Sequence, residues 1–232
     1  MSVTPIQHGV FFSPRTELPR GRHALSREEA ASAQKERLMA AFSELVAEHG
    51  LGAVTIGDLV GHTAVSRGAF YSCFDDLASC GDAAYDRFIS VLLERLGEAM
   101  DPTDHWHEFV ASAVRAYLET LQSDPVVSRA MQIEMDAAGR PARIRRQNAL
   151  GAIAHVIKAR YLLLQEEDAS FGPLPEDAYL GWVYAVRQLA CDKLENETDP
   201  DLLSLVDPIV DWIGATIKGA MLVQPDTASP TS

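Results

Sequence analysis

The residues best suited to meet a polar, anionic partner lie close together in the chain: Thr55, Ser66, Arg67, Gly68, Tyr71 and Ser72. A guanidinium such as that of Arg67 can read a guanine edge in the major groove or clamp a phosphate. The Tyr71 hydroxyl can donate to a phosphate while its ring touches a thymine methyl. Thr55 and Ser66 are good helix N-caps. Gly68 and Ser72 are small enough to let a helix approach a flat, polar surface. Singly, each has an ordinary reading as a solvated arginine, a plain cap or a half-buried ring. Grouped on one element, they point to binding of double-stranded DNA.

That grouping needs two short helices and a tight turn, and the segment Thr55 to Phe74 predicts them. Ile56, Leu59 and Val60 fall at i, i+3 and i+4, one helical face. Val65 fills the turn and Ser66 caps the second helix. Phe70 and Phe74, four apart, form its inner side. A preceding helix ends at His49, with an apolar stripe of Leu38, Phe42, Leu45 and Val46 and with Gly50 and Gly52 as its stop.

These parts, in order from Gln34 to about Leu77, resemble the DNA-binding half of the TetR family of one-component repressors. Lys35 to Leu38 and Ala47 to Gly50 are similar to the family's first helix and its closing glycine. Thr55-Ile56 is similar to the start of its second helix. Val65 to Tyr71, with Phe74, resembles its turn and recognition helix. The likeness covers about a fifth of the chain. It departs from the family at Ala64, where glycine is usual, and at Asp75-Asp76, near where a lysine usually meets phosphate. The second departure implies a weaker or differently anchored grip on DNA.

No segment shows sustained alternation of apolar and polar residues, so the chain is read as all-α, with a small head and a larger body. Of the 232 residues, 47% are hydrophobic and 23% charged, as in ordinary globular proteins. The net charge is −13, which argues against a non-specific nucleic-acid coat or attraction to anionic membranes. Residues 1–75 hold seven Lys/Arg against eight Asp/Glu, so the acidic excess belongs to the body. Cys73, Cys80 and Cys191 are odd in number and have no metal spacing, which predicts reduced thiols in a cytoplasmic protein. No signal peptide or membrane span is read.

Residues 1–26, with several prolines, glycines and arginines, predict a disordered basic arm. The helix–turn–helix head is placed at 27–76, a helical ligand-binding and dimerisation domain at 77–222 and a disordered tail at 223–232. A long helix over 77–100 links head to body. Four Asp-Pro pairs mark helix starts and place body helices at about 103–122, 125–138, 141–165, 176–196 and 200–221, with Pro208 kinking or restarting the last.

Trp106, Tyr117, Met131, Met135 and His155 mix adaptable apolar surface with a few polar handles, as a small-effector pocket does and as a plain core also does. Two apolar stripes close the chain, carrying Trp182, Val186 and Leu189 on one helix and Ile213 and Ile217 on the next. In the resembled family this last helical pair forms a four-helix dimer interface. Arg140, Arg143, Arg145 and Arg146 are a basic cluster, either a solvated face paired with acids or a site for an acidic ligand. His105 and His107 point to different sides of a helix, so no metal is predicted. No catalytic motif or cofactor loop is present. The reading is a homodimeric regulator, most simply a repressor released from a palindromic operator by an apolar effector. Its rival is a helical dimer that binds a small molecule or a protein without sequence-specific DNA binding.

Overall fold

The structure, a computed structural model, describes residues 4–6, 9–12, 27–103, 105–168 and 170–222. Every regular element among them is helical: α1 (Arg27–His49), α2 (Ile56–Thr63), α3 (Arg67–Tyr71), α4 (Leu77–Ala99), α5 (Trp106–Ser123), α6 (Pro125–Gln132), α7 (Arg140–Glu167), α8 (Glu176–Asn196) and α9 (Val206–Leu222). Single 3-10 turns precede α2, α7 and α9 at Leu51–Ala53, Glu134–Ala138 and Leu202–Leu205. The all-α expectation holds, and none of these helices is long and apolar enough to cross a membrane.

The head is built as its pattern implies. Leu38, Phe42, Leu45, Leu59, Phe70 and Phe74 are buried together between α1, α2 and α3. Ala64, in the turn after α2, sits in the left-handed region at φ 54°, the sole non-glycine there among the described residues. This is the position where the resembled family carries glycine. A side chain in that region costs roughly 1–2 kcal/mol and glycine returns part of this as chain entropy. Ala64→Gly should therefore raise stability by about 0.5–1 kcal/mol, read as a shift in the urea midpoint.

The head is seated on the body through α1, which packs on α4 and α6. Gly81 makes the α4 approach possible: a Cβ there would stand 2.7 Å from Phe42 Cζ. Beyond it α5 packs on α4 and α9, and α7 on α4 and α8.

The helix starts differ from expectation in an instructive way. Asp124 does cap α6, its carboxylate accepting from the Val127 N–H at 3.3 Å. Asp101 instead accepts from the N–H and hydroxyl of Thr103, which closes a turn and delays α5 to Trp106. The cap before the last 3-10 turn is Asp201, one residue past the Asp-Pro pair. Pro208 falls in the first turn of α9, so the proline restarts the helix. The expected 125–138 helix breaks at Ile133 into α6 and a 3-10 turn.

Part of the segment read as a disordered arm, residues 4–6 and 9–12, is packed on the fold. Ile6, Phe11 and Phe12 are all buried. The Ile6 N–H donates to Glu44 Oε1 at 2.9 Å. The Phe11 ring lies 5.0 Å from that of Phe88, and its carbonyl accepts from Arg87 Nε at 3.2 Å. Residues 4–6 and 9–12 form a strap against α1 and α4. Arg15, Arg20, Arg22 and the 223–232 tail lie outside the described residues.

Candidate DNA interface and effector chamber

At the head's outer face, local capping fixes each side chain. Thr55 caps α2: its hydroxyl accepts from the Asp58 N–H, and Asp58 Oδ2 accepts from the Thr55 N–H at 3.0 Å. The Thr55 hydroxyl also donates to Asp58 Oδ2 at 2.6 Å, and this bond first, then the one from the Thr55 N–H, holds the Asp58 carboxyl below its ordinary pKa. Ser66 caps α3, accepting from the Ala69 N–H at 3.1 Å. A Cβ placed on Gly57 would stand 3.3 Å from Thr55 Oγ1 and 3.7 Å from Arg67 Nη2, so the start of α2 and the start of α3 share one surface. Thr55, Ser66, Arg67, Gly68, Tyr71 and Ser72 are all exposed there. Tyr71 stands out, with 55% of its surface free although its ring also meets Phe70 edge-on.

Asp76 has a structural task that its sequence position hides. It caps α4, accepting from the Ser79 N–H at 2.7 Å, while Ser79 accepts from the Asp76 N–H. Asp75 is exposed and has no such duty. Cys80, just beyond, is buried, which pushes its thiol pKa up to about 12; it is an inert core group.

The body encloses an apolar chamber of about 60 Å³. Phe109, Val110, Val114 and Tyr117 of α5 form one wall, Leu150 and Ile153 of α7 a second, and Trp182, Val183 and Val186 of α8 a third. An inner chamber of about 30 Å³ adjoins it, sharing Tyr117, Leu150 and Ile153 and adding Gln132, Arg146 and Arg187. An outer groove of about 520 Å³ between α5 and α9 shares Val110 and Ile213. The main chamber in this form is smaller than most ligand pockets, so an occupant must spread the helices that line it.

Of the residues expected in a pocket, Tyr117 lines both chambers and Trp106 lines the outer groove, its ring 5.2 Å from Tyr161. Three expectations are corrected. Met131 and Met135 are core, buried where α6 and the following turn meet the head. His155 faces outward on α7. The residues missed, such as Phe109, Val110 and Ile153, recur at three- and four-residue spacings that read equally as core.

The segment from Gln132 to Ala138 touches both the chambers and the head. Gln132 Nε2 donates to the Tyr117 hydroxyl at 3.1 Å. Glu134 Oε2 accepts from the Leu51 N–H at 3.3 Å, under the head. Two residues on, Asp136 pairs with Arg146 and Arg187 at the inner chamber.

The last two helices face differently from expectation. Trp182, Ile213 and Ile217 turn into the protomer and are buried, and Val186 is half-buried in the chamber wall. The outward apolar residues are Tyr184 and Leu189 on α8 and Trp212 on α9, with Leu189 at 41% and Trp212 at 40% exposure.

No protein-family model matches the chain, and no curated protein matches it. Solved structures do. The fatty acid degradation regulator FadR from Bacillus halodurans superposes with a TM-score of 0.67 at 15% identity, over 78% of this chain and 94% of that one. A bacterial regulatory protein in the tetR family from Rhodococcus RHA1 gives 0.67 at 18% identity, over 79% and 96%. FadR from Bacillus subtilis in complex with stearoyl-CoA gives 0.67 at 14% identity, over 76% and 96%. Agreement along nearly the whole of each neighbour, at identities this low, speaks to architecture. The chain has the all-α fold of the TetR-family transcriptional regulators.

Proposed function

We propose that this protein is a homodimeric, DNA-binding transcriptional regulator, a repressor whose hold on its operator is released by a small apolar effector. The observation that carries the reading is the exposed surface at α2 and α3. It gathers a guanidinium, a phenol and three hydroxyls on a capped helix start, with no ion pair consuming Arg67 among the described contacts. The head, 27–76, binds one half-site, and the body, 77–222, dimerises and holds the effector. A two-fold pair of heads requires an operator of approximate inverted symmetry, its half-sites about 34 Å apart or somewhat more. That a similar fold holds stearoyl-CoA supports an effector with a long apolar part. The effector binds best to the form with a widened chamber and wrongly spaced heads; the coupling is that difference in affinity.

The test is recovery of duplexes from a random pool on the purified chain. An enriched inverted repeat supports the reading. Recovery without enrichment favours the rival, a dimer that binds small molecules or proteins alone.

On the enriched duplex, Arg67→Ala should cost about 1–3 kcal/mol and relax the preference at one base pair. Tyr71→Phe should weaken all sequences alike, as loss of a phosphate contact does. Asp75→Lys should tighten binding and steepen the salt dependence by about one counterion. The same change at Asp76 would also remove the α4 cap, at about 1 kcal/mol of stability. Fluorescence anisotropy across a salt series measures all of these; wild-type affinity and selectivity in both Arg67→Ala and Tyr71→Phe would mean that another surface meets DNA.

A further inference from the structure

The basic cluster at the start of α7 divides in two. Arg145 turns outward to Asp82 at 2.8 Å and Asp86 at 3.0 Å. Arg146 turns inward and, with Arg187 of α8, lines the inner chamber. Arg187 is only 7% exposed. Its Nη2 donates to the Gln132 carbonyl and lies 3.6 Å from Asp136 Oδ1, which also pairs with Arg146. The Nε of each guanidinium is buried with no acceptor.

Two cations thus share one carboxylate, and that carboxylate is half exposed. A buried charged N–H without an acceptor is costly, and an anion of matching geometry relieves the cost better than any neutral group. The surplus is a single positive charge, enough to hold a monoanion. Beyond the two arginines the inner chamber adds Gln132, Tyr85 and Tyr117 to an otherwise apolar lining, and the main chamber is walled by aliphatic and aromatic residues. The inner chamber shares Tyr117 and Ile153 with the main chamber, and the main chamber shares Val110 and Ile213 with the outer groove, which sets the three cavities in a row along one path.

We propose that this path binds a carboxylic acid with an apolar chain, the carboxylate seated on Arg187 and Arg146 and the chain laid through the main chamber. The proposal rests on the chamber being the effector site; it adds that the effector is a free acid, not a neutral hydrocarbon, alcohol or ester. The incoming carboxylate competes with Asp136 for the guanidinium groups. Displacing Asp136 loosens the turn Glu134–Ala138, whose Glu134 holds Leu51 beneath the head. Binding of the acid's charge, beyond that of its chain, is thereby placed next to a contact between body and head.

The test uses the full chain and a neutral fluorescent dye of apolar sites, N-phenyl-1-naphthylamine, displaced by dodecanoate, dodecanol or methyl dodecanoate. The acid should displace the dye at concentrations about tenfold or more below those of the alcohol and the ester. Arg187→Gln and Arg146→Gln should each bring the acid to the level of the alcohol while leaving the alcohol within roughly twofold. Asp136→Asn should tighten the acid alone. If Arg187→Gln does not fold, the other two variants decide. An acid no better than the alcohol, on a chain that binds the alcohol, overturns the proposal and leaves the chamber reading intact. A chain that binds neither dye nor alcohol overturns the chamber reading and this proposal with it.

Discussion

Phe11→Ala should lower the unfolding free energy by about 3–5 kcal/mol, the range for emptying a buried phenyl site. The segment around it has the composition of a tail, and an exposed tail residue would change stability by less than about 0.5 kcal/mol. The difference arises because the Phe11 ring is fully enclosed against Phe88. Its neighbour Phe12 is as deeply buried, so Phe12→Ala should cost a similar amount. The loss also reaches the head: Ile6, on the same strap, donates to Glu44, a carboxylate 1% exposed that also meets His62 Nε2 of α2 at 2.7 Å. Urea denaturation with an unchanged slope measures the effect. A change under 0.5 kcal/mol would mean that the strap does not pack as described.

Leu189→Asp combined with Trp212→Asp should give a folded monomer whose affinity for an inverted repeat is lower by about 10²–10⁴, the factor that joining two binding modules supplies. Both side chains are outward on the protomer, so the charges meet water in the monomer and a partner only in the dimer. Ile213→Asp is the control. Ile213 is buried beside the chamber, and an unpaired charge there should unfold the protomer itself. Sedimentation velocity separates the outcomes. A double variant that stays dimeric would move the interface off this face.

The head was legible because its signals are local. Ser66 four residues before Phe70, and Thr55 just before Ile56, Leu59 and Val60, each specify a cap and a face without help from the rest of the chain. The body was legible as helices and much less as a site. An apolar stripe names the residues that avoid water, but not which of them face a cavity, so Tyr117 and Met131 look alike in sequence and diverge in the fold. The same limit turned Trp182 and Ile213 toward a partner on paper and inward in fact. Arg187 shows the opposite case: on sequence it is one charge within an apolar helix, and only the approach of α6, α7 and α8 makes it a buried cation beside Arg146. The strap was missed because Ile6, Phe11 and Phe12 have no periodicity; long-range contacts alone give them a place.

In the proposed switch, filling the chamber controls the head's hold on DNA. This is tested most directly by titrating the enriched duplex with the intact chain, with and without a saturating chamber ligand found by dye displacement. The ligand should weaken duplex affinity by about 5–150-fold. Equal affinity with the chamber filled and empty, or equal affinity for the enriched and a scrambled duplex, would contradict it.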